Sequence, residues 1–190
     1  MVVVIIHPND NLWFTQQFQN ATNAGLVVEA YVYLYFDEYY YDPTASAGQQ
    51  CTYKGTVPDQ VQRAINALLS SPLGAYYTRI WLDCEEEPSV CASFPSASQI
   101  VQLLQSAVTQ IQNAQFTAGV YTRGSWWQTC TGDSNAFTSL PLWYANPDGN
   151  PDLLTDWSGF GGWYCPSAKQ WGQTLIDGVW FDRDTILEGV

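Results

Sequence analysis

Asp83 and Glu85 stand two residues apart at the end of a short apolar run, Arg79-Ile80-Trp81-Leu82-Asp83-Cys84-Glu85, which passes at once into Glu86, Glu87 and Pro88. In a β-strand alternate side chains face the same way, so Trp81, Asp83 and Glu85 share one face while Leu82 and Cys84 share the other. Two carboxyl groups that converge in this way can divide the work of acid catalysis: one serves as general acid and the other as stabilising carboxylate. A parallel barrel presents such groups at the mouth of its core, where the strands end. A strand running into a solvated acidic loop has the same local pattern, so the remainder of the chain has to decide between the two.

The composition points to a class of ligand. The 190 residues, 46% hydrophobic and 15% aromatic, are enough for one domain, spanning 1–190, with a substantial core. Six basic against eighteen acidic residues leave a net charge of −12, which argues against nucleic acid or an anionic membrane as partner. Nine Trp and twelve Tyr supply flat rings that stack on sugar faces and hydroxyls that hydrogen-bond, although the same residues also build ordinary cores. No apolar run approaches the roughly 18–20 residues of a membrane span. Cysteines at 51, 84, 91, 130 and 165 form no C-x-x-C pair, and their odd number leaves one thiol without a partner within the chain. His7 is the single histidine, so neither a histidine zinc site nor a catalytic triad is expected, and a strand-end histidine is its plainer reading. Met1 runs straight into Val2-Val3-Val4-Ile5-Ile6 with no basic segment and no cleavage site, which reads as a buried strand and not as a signal peptide.

The elements that must position the acids can be read from periodicity. Short β-branched or aromatic runs predict seven strands, at Val2–Ile6, Val27–Phe36, Arg79–Glu85, Thr117–Tyr121, Pro141–Ala145, Ala168–Trp171 and Gly178–Asp182. Helical patterns fall at Leu12–Ala24, Pro58–Leu69 and Ser96–Ala114, the last with a stripe of Ile100, Leu103, Leu104, Ala107, Val108 and Ile111. Alternation of helix and strand predicts a parallel sheet. Toward the C-terminus the linkers turn rich in Gly, Pro and Asn and the helices thin out, so the expected fold is an irregular parallel β/α barrel of the TIM type with incomplete helical cladding.

Six phrases in register resemble the glycoside hydrolase family 25 lysozymes: Gly25-Leu26-Val27-Val28-Glu29-Ala30-Tyr31, Trp81-Leu82-Asp83-Cys84-Glu85, Ala118-Gly119-Val120-Tyr121-Thr122, Leu140-Pro141-Leu142-Trp143-Tyr144-Ala145, Lys169-Gln170-Trp171 and Gly178-Val179-Trp180-Phe181-Asp182-Arg183-Asp184. Ile80-Trp81-Leu82-Asp83 and Phe160-Gly161-Gly162-Trp163 resemble the secreted eukaryotic branch in particular. The resemblance implies a muramidase acting without metal or cofactor on peptidoglycan or another N-acetylhexosamine polysaccharide. It carries the general acid onto Glu85 and places Asp83 beside the substrate's acetamido group, whose carbonyl can serve as internal nucleophile. It makes Asp182 the last-strand acid. Tyr31, Tyr121 and Trp143 become the preferred sugar binders, with Tyr33 and Trp180 either binders or packing, and Gln170 either a site residue or a structural hydrogen-bonding one. A secreted, vacuolar or lysosomal location and a monomeric barrel are expected.

The family opens with a strand bearing Gly-x-Asp, whereas Val2 begins what corresponds to its second strand. The expectation is therefore a barrel lacking its first strand and that strand's acid, with Asp10 a poor substitute. Two other functions remain compatible: a sugar-binding protein without full catalysis, favoured by the strong acidity, and a chitinase-like hydrolase of a neutral polymer.

Overall fold

The computed structural model describes residues 2–5, 19–20, 23–25, 28–70 and 79–187. His7, Asp10 and most of the helix expected at Leu12–Ala24 lie outside them. Within them the chain forms β1 (Val2–Ile5), β2 (Val28–Tyr33), β3 (Tyr39–Tyr41), β4 (Cys51–Tyr53), α1 (Val57–Ser70), β5 (Arg79–Cys84), α2 (Ala97–Asn113), β6 (Thr117–Thr122), α3 (Gly124–Thr131), β7 (Leu142–Ala145), β8 (Ala168–Ile176) and β9 (Val179–Ile186). The seven strands read from the sequence all join one sheet, in the order β1-β2-β5-β6-β7-β8-β9.

From β1 to β8 every pairing is parallel. The last is not: β8 and β9 form an antiparallel hairpin, which corrects the expectation of a wholly parallel sheet. Asp177 and Gly178 at its turn have φ of 50° and 82°, and two consecutive left-handed residues give the turn whose twist matches that of a two-stranded ribbon. A two-residue link also leaves no length for a crossover helix. The small β3–β4 hairpin and α3 are further elements the sequence reading did not assign.

The sheet is strongly curled. β2 and β9 are five strand spacings apart, about 24 Å along a flat sheet, yet Tyr31 of β2 and Asp182 of β9 line one cavity of about 240 Å³. Among the described residues no ladder joins the two edges, β1 and β9, so the described sheet is a curled half-barrel.

Each face of the sheet has its own core. Even-numbered positions, among them Ala30, Val32, Ile80, Leu82, Cys84, Val120 and Leu142, pack outward against α1 and α2. These helices offer Val61, Ala64, Ile65 and Leu68, and Ile100, Leu104, Ala107 and Ile111, each a stripe at helical spacing. Their N-termini are held by side chains: Asp59 accepts the Thr56 backbone N–H while its own N–H donates to the Thr56 hydroxyl, and Gln99 accepts the Ser96 N–H at 2.9 Å. Odd-numbered Trp81, Tyr121 and Trp143 form the inner core with Ala168. Gly119 lies beside Trp81 on β6, and a Cβ there would stand 2.4 Å from the Trp81 ring, so only glycine admits the indole at this level.

Candidate active site

Strand parity and register assemble the site in layers. At the lowest, Glu29 accepts hydrogen bonds from Trp81 Nε1 (2.6 Å) and from the Arg79 guanidinium (3.1 Å), which fixes the indole from below. Trp81 and Trp143 meet edge to face at 5.7 Å, and Tyr121 and Trp143 at 4.8 Å. Above this aromatic floor Tyr33 pairs with Asp83 and Asp83 with Tyr121. The next inward position on β5 is Glu85. Around the same level Tyr121 donates its hydroxyl hydrogen to Gln170 at 2.8 Å, and Trp143 Nε1 donates to Asp184 at 2.9 Å. The resulting cavity is lined by Tyr31, Asp83, Glu85, Tyr121, Trp143, Gln170, Gln173 and Asp182.

Three carboxyl groups in so small a space cannot all ionise freely. Asp83 is buried, and burial followed by the charges of Glu85 and Asp182 pushes its carboxyl well above the usual range. Its Oδ1 has no hydrogen-bond partner among the described residues. Burial also raises Glu85; the Arg123 guanidinium opposes that shift, and the charges of Asp182 and Glu87 reinforce it. Asp184 is pushed up to about 6 by burial, against the lowering hydrogen bond from Trp143 and with further upward pressure from Asp182. The cluster therefore retains protons at pH values where isolated carboxyls are ionised. Burial and the same acids raise the hydroxyls of Tyr31 and Tyr121, so both remain hydrogen-bond donors.

Two groupings outside the cavity hold its walls. Directly after Glu85, buried Glu86 accepts the backbone N–H groups of Phe36 and Asp37, tying the segment that follows β2 to the segment that follows β5. Burial and the Asp37 charge push Glu86 up to about 8, against those backbone hydrogen bonds. Asp37 accepts the Ser89 hydroxyl hydrogen at 2.5 Å, two residues before Cys91, which is disulfide-bonded to Cys51 of β4. On the other side Lys169, its side chain fully buried, reaches Asp148 at 3.0 Å, Asp156 at 2.5 Å and the Asp152 carbonyl at 3.2 Å. That ammonium organises the loop after β7, which Asn146 and Gly149 further anchor to β8 through backbone hydrogen bonds.

Of the residues selected from the sequence, Asp83, Glu85, Asp182, Tyr31, Tyr121, Trp143 and Gln170 come together around the cavity. Tyr33 and Trp180 are not among its lining residues. Tyr33 stands on the inner face at the level of Asp83, its ring centroid 4.9 Å from that of Tyr35. Trp180 lies opposite Leu175 toward the hairpin tip, 65% exposed, because β8 and β9 extend past the cavity. The sequence reading missed Gln173, which lines the cavity and donates to Asp182 at 2.9 Å. Simple alternation from Gln170 points residue 172 inward. The bulge between Gln170 and Gly172 inserts Trp171 and moves the inward position to 173. Among the described residues no three His, Cys, Asp or Glu side chains are grouped to hold a metal ion.

A family model described as "Lysozyme-like protein 1" matches residues 9–171. The chain is 30% identical over 165 residues to a probable GH family 25 lysozyme 3 of Dictyostelium discoideum, covering 86% of this chain and 30% of that protein. It is 34% identical over 124 residues to a probable GH family 25 lysozyme 2 of the same organism, covering 65% and 55%. It thus spans about half or less of the length of these curated relatives. Among solved structures it is similar in fold to a muramidase from Trichobolus zukalii, with a TM-score of 0.66 and 19% identity over 99% of this chain and 81% of that one.

Proposed function

The chain belongs to glycoside hydrolase family 25, and from that premise we propose that it is a lysozyme-type muramidase hydrolysing the β-1,4 bond between N-acetylmuramic acid and N-acetylglucosamine in peptidoglycan. The observation that carries the reading is the convergence of Asp83, Glu85 and Asp182 on one cavity walled by Tyr31, Tyr121 and Trp143. Glu85 is the general acid: its raised carboxyl keeps the proton it delivers to the glycosidic oxygen as the C–O bond breaks. The acetamido carbonyl of the sugar attacks the anomeric carbon. Asp83, whose buried Oδ1 has no hydrogen-bond partner among the described residues, accepts the acetamido N–H there and so orients the carbonyl for its attack. Asp182, held by Gln173, lines the cavity beside it. The tyrosine hydroxyls donate to sugar oxygens, and Trp143 offers a ring face. We take the curled sheet as the larger part of an irregular β/α barrel. The enzyme's place is an oxidising one, secreted or vacuolar, as the Cys51–Cys91 disulfide favours.

One observation favours a second reading. Three acids and no cation line the cavity, a setting that suits a neutral N-acetylglucosamine polymer better than an anionic wall.

Glu85→Gln tests the assignment. Loss of a general acid costs on the order of 10²–10⁴ in rate, so release of reducing ends from purified peptidoglycan should fall by that factor with the fold unchanged by circular dichroism. Near wild-type release would refute the assignment.

A further inference from the structure

An anionic glycan poses a problem for this site, because every lining residue that carries formal charge is an acid. The chain has six cations with which to answer it. Lys169 is buried within its loop. Arg79 is bound to Glu29 beneath the aromatic floor. Arg183 is stacked on Trp171 at 3.8 Å, and Lys54 lies over Tyr35 and Tyr40. Arg63 is bonded to the Lys54 carbonyl. Arg123 is different. Cys84 pairs with Thr122, so one further step along the two strands sets Glu85 beside Arg123, both at odd-numbered, inward positions. Its guanidinium bonds Glu87, the next inward position after Glu85, and both side chains of that pair are largely exposed, at 45% and 69%. An exposed ion pair is weak and exchanges readily, whereas a planar guanidinium binds an incoming carboxylate through two parallel hydrogen bonds.

Resting on the muramidase reading, we propose that Arg123 is the site's carboxylate receptor: it leaves Glu87 to bind the lactyl carboxylate of a muramyl residue, and so selects an acid-bearing glycan over a neutral one. Glu87 holds the guanidinium at the rim until the substrate arrives. The influence of Arg123 on Glu85 is consistent with their closeness, but it acts on any substrate alike and confers no selectivity.

The test measures binding by the quenching of tryptophan fluorescence, so it does not depend on turnover. The probes are a tetrasaccharide of alternating N-acetylglucosamine and N-acetylmuramic acid, the same tetrasaccharide with its lactyl groups methyl-esterified, and the neutral tetramer of N-acetylglucosamine. The wild-type protein should prefer the acid over the ester by about 5–10-fold at low salt, a preference that declines as salt is added. Arg123→Gln should bring the ratio to about one. Glu87→Gln should increase it, because the guanidinium is then released from its partner. A wild-type ratio near one, or a preference that survives Arg123→Gln, overturns the inference. Binding of all three probes with equal affinity overturns this inference alone, while binding of none overturns the substrate reading with it. A preserved acid preference without hydrolysis of any probe sinks the hydrolase reading and leaves the receptor role standing.

Discussion

Replacing Glu86 by Gln should flatten the protein's stability profile between mildly acid and mildly alkaline pH. Glu86 is almost wholly buried, accepts two backbone N–H groups from the segment that follows β2 and faces the Asp37 carboxylate. Its carboxyl is moved from an ordinary 4.5 to about 8. A group whose folded pKa is raised stabilises the fold fully below its unfolded value and loses that contribution as pH rises through the folded one. The window is therefore about 4.5 to 8. At about 1.4 kcal/mol per unit, and allowing for the partial titrations at both ends, the full shift corresponds to about 4 kcal/mol. Relaxation of the fold around the carboxyl as it ionises reduces this to on the order of 2–3 kcal/mol. Glutamine keeps the acceptor oxygen for Phe36 and Asp37 and cannot ionise, so its stability should match wild type within about 1 kcal/mol near pH 4.5 and exceed it near pH 8. Urea unfolding at several pH values, followed by tryptophan fluorescence, measures the difference. Profiles that run parallel for the two proteins across the window would refute the reasoning, as would a wild type that gains stability over the variant with rising pH.

Gly119→Ala should destabilise by about 1–3 kcal/mol, because the added methyl meets the Trp81 ring at 2.4 Å. Thermal unfolding reads the loss, and sugar binding should weaken with it, since Trp81 supports Trp143. Lys169→Met should cost about 2–4 kcal/mol by leaving Asp148 and Asp156 facing each other without their cation. Limited proteolysis should then cut within residues 146–156 before any other described loop.

The features legible in the sequence were those set by short-range alternation. Asp83 and Glu85 reach the cavity because two residues along a strand return a side chain to the same face, and the same rule delivers Tyr31, Tyr121 and Trp143. The seven strands were legible as apolar runs between turn residues. Features set by long-range geometry or by exceptions to the period were not. The Trp171 bulge shifts parity and hides Gln173. The antiparallel final strand was in fact signalled by Asp177-Gly178, a favoured two-residue hairpin turn, but the alternation of earlier elements suggested otherwise. Trp180 has the inward parity of Asp182 and lies beyond the cavity only because the hairpin outruns its neighbours, a matter of strand length that residue type does not encode. Nor did any local signal foretell that Glu86, the middle one of three consecutive acids, is buried to hold the backbone just beyond β2 while Glu87 remains exposed.

Asn146, Asp148, Asn150, Asp152 and Asp156 of the loop of residues 146–156 gather around one another and around the Lys169 ammonium, a cation-centred role that dissolved divalent ions play in other proteins. A dissolved ion binds according to its concentration and can be stripped away. This positive charge is covalently part of β8, so its local concentration is fixed by the fold and dilution cannot remove it. The wall of the cavity that this loop supports should keep its shape in chelating media and in ion-poor ones alike. Its order is tied through Lys169 to β8, which joins the persistence of the loop to the persistence of the sheet.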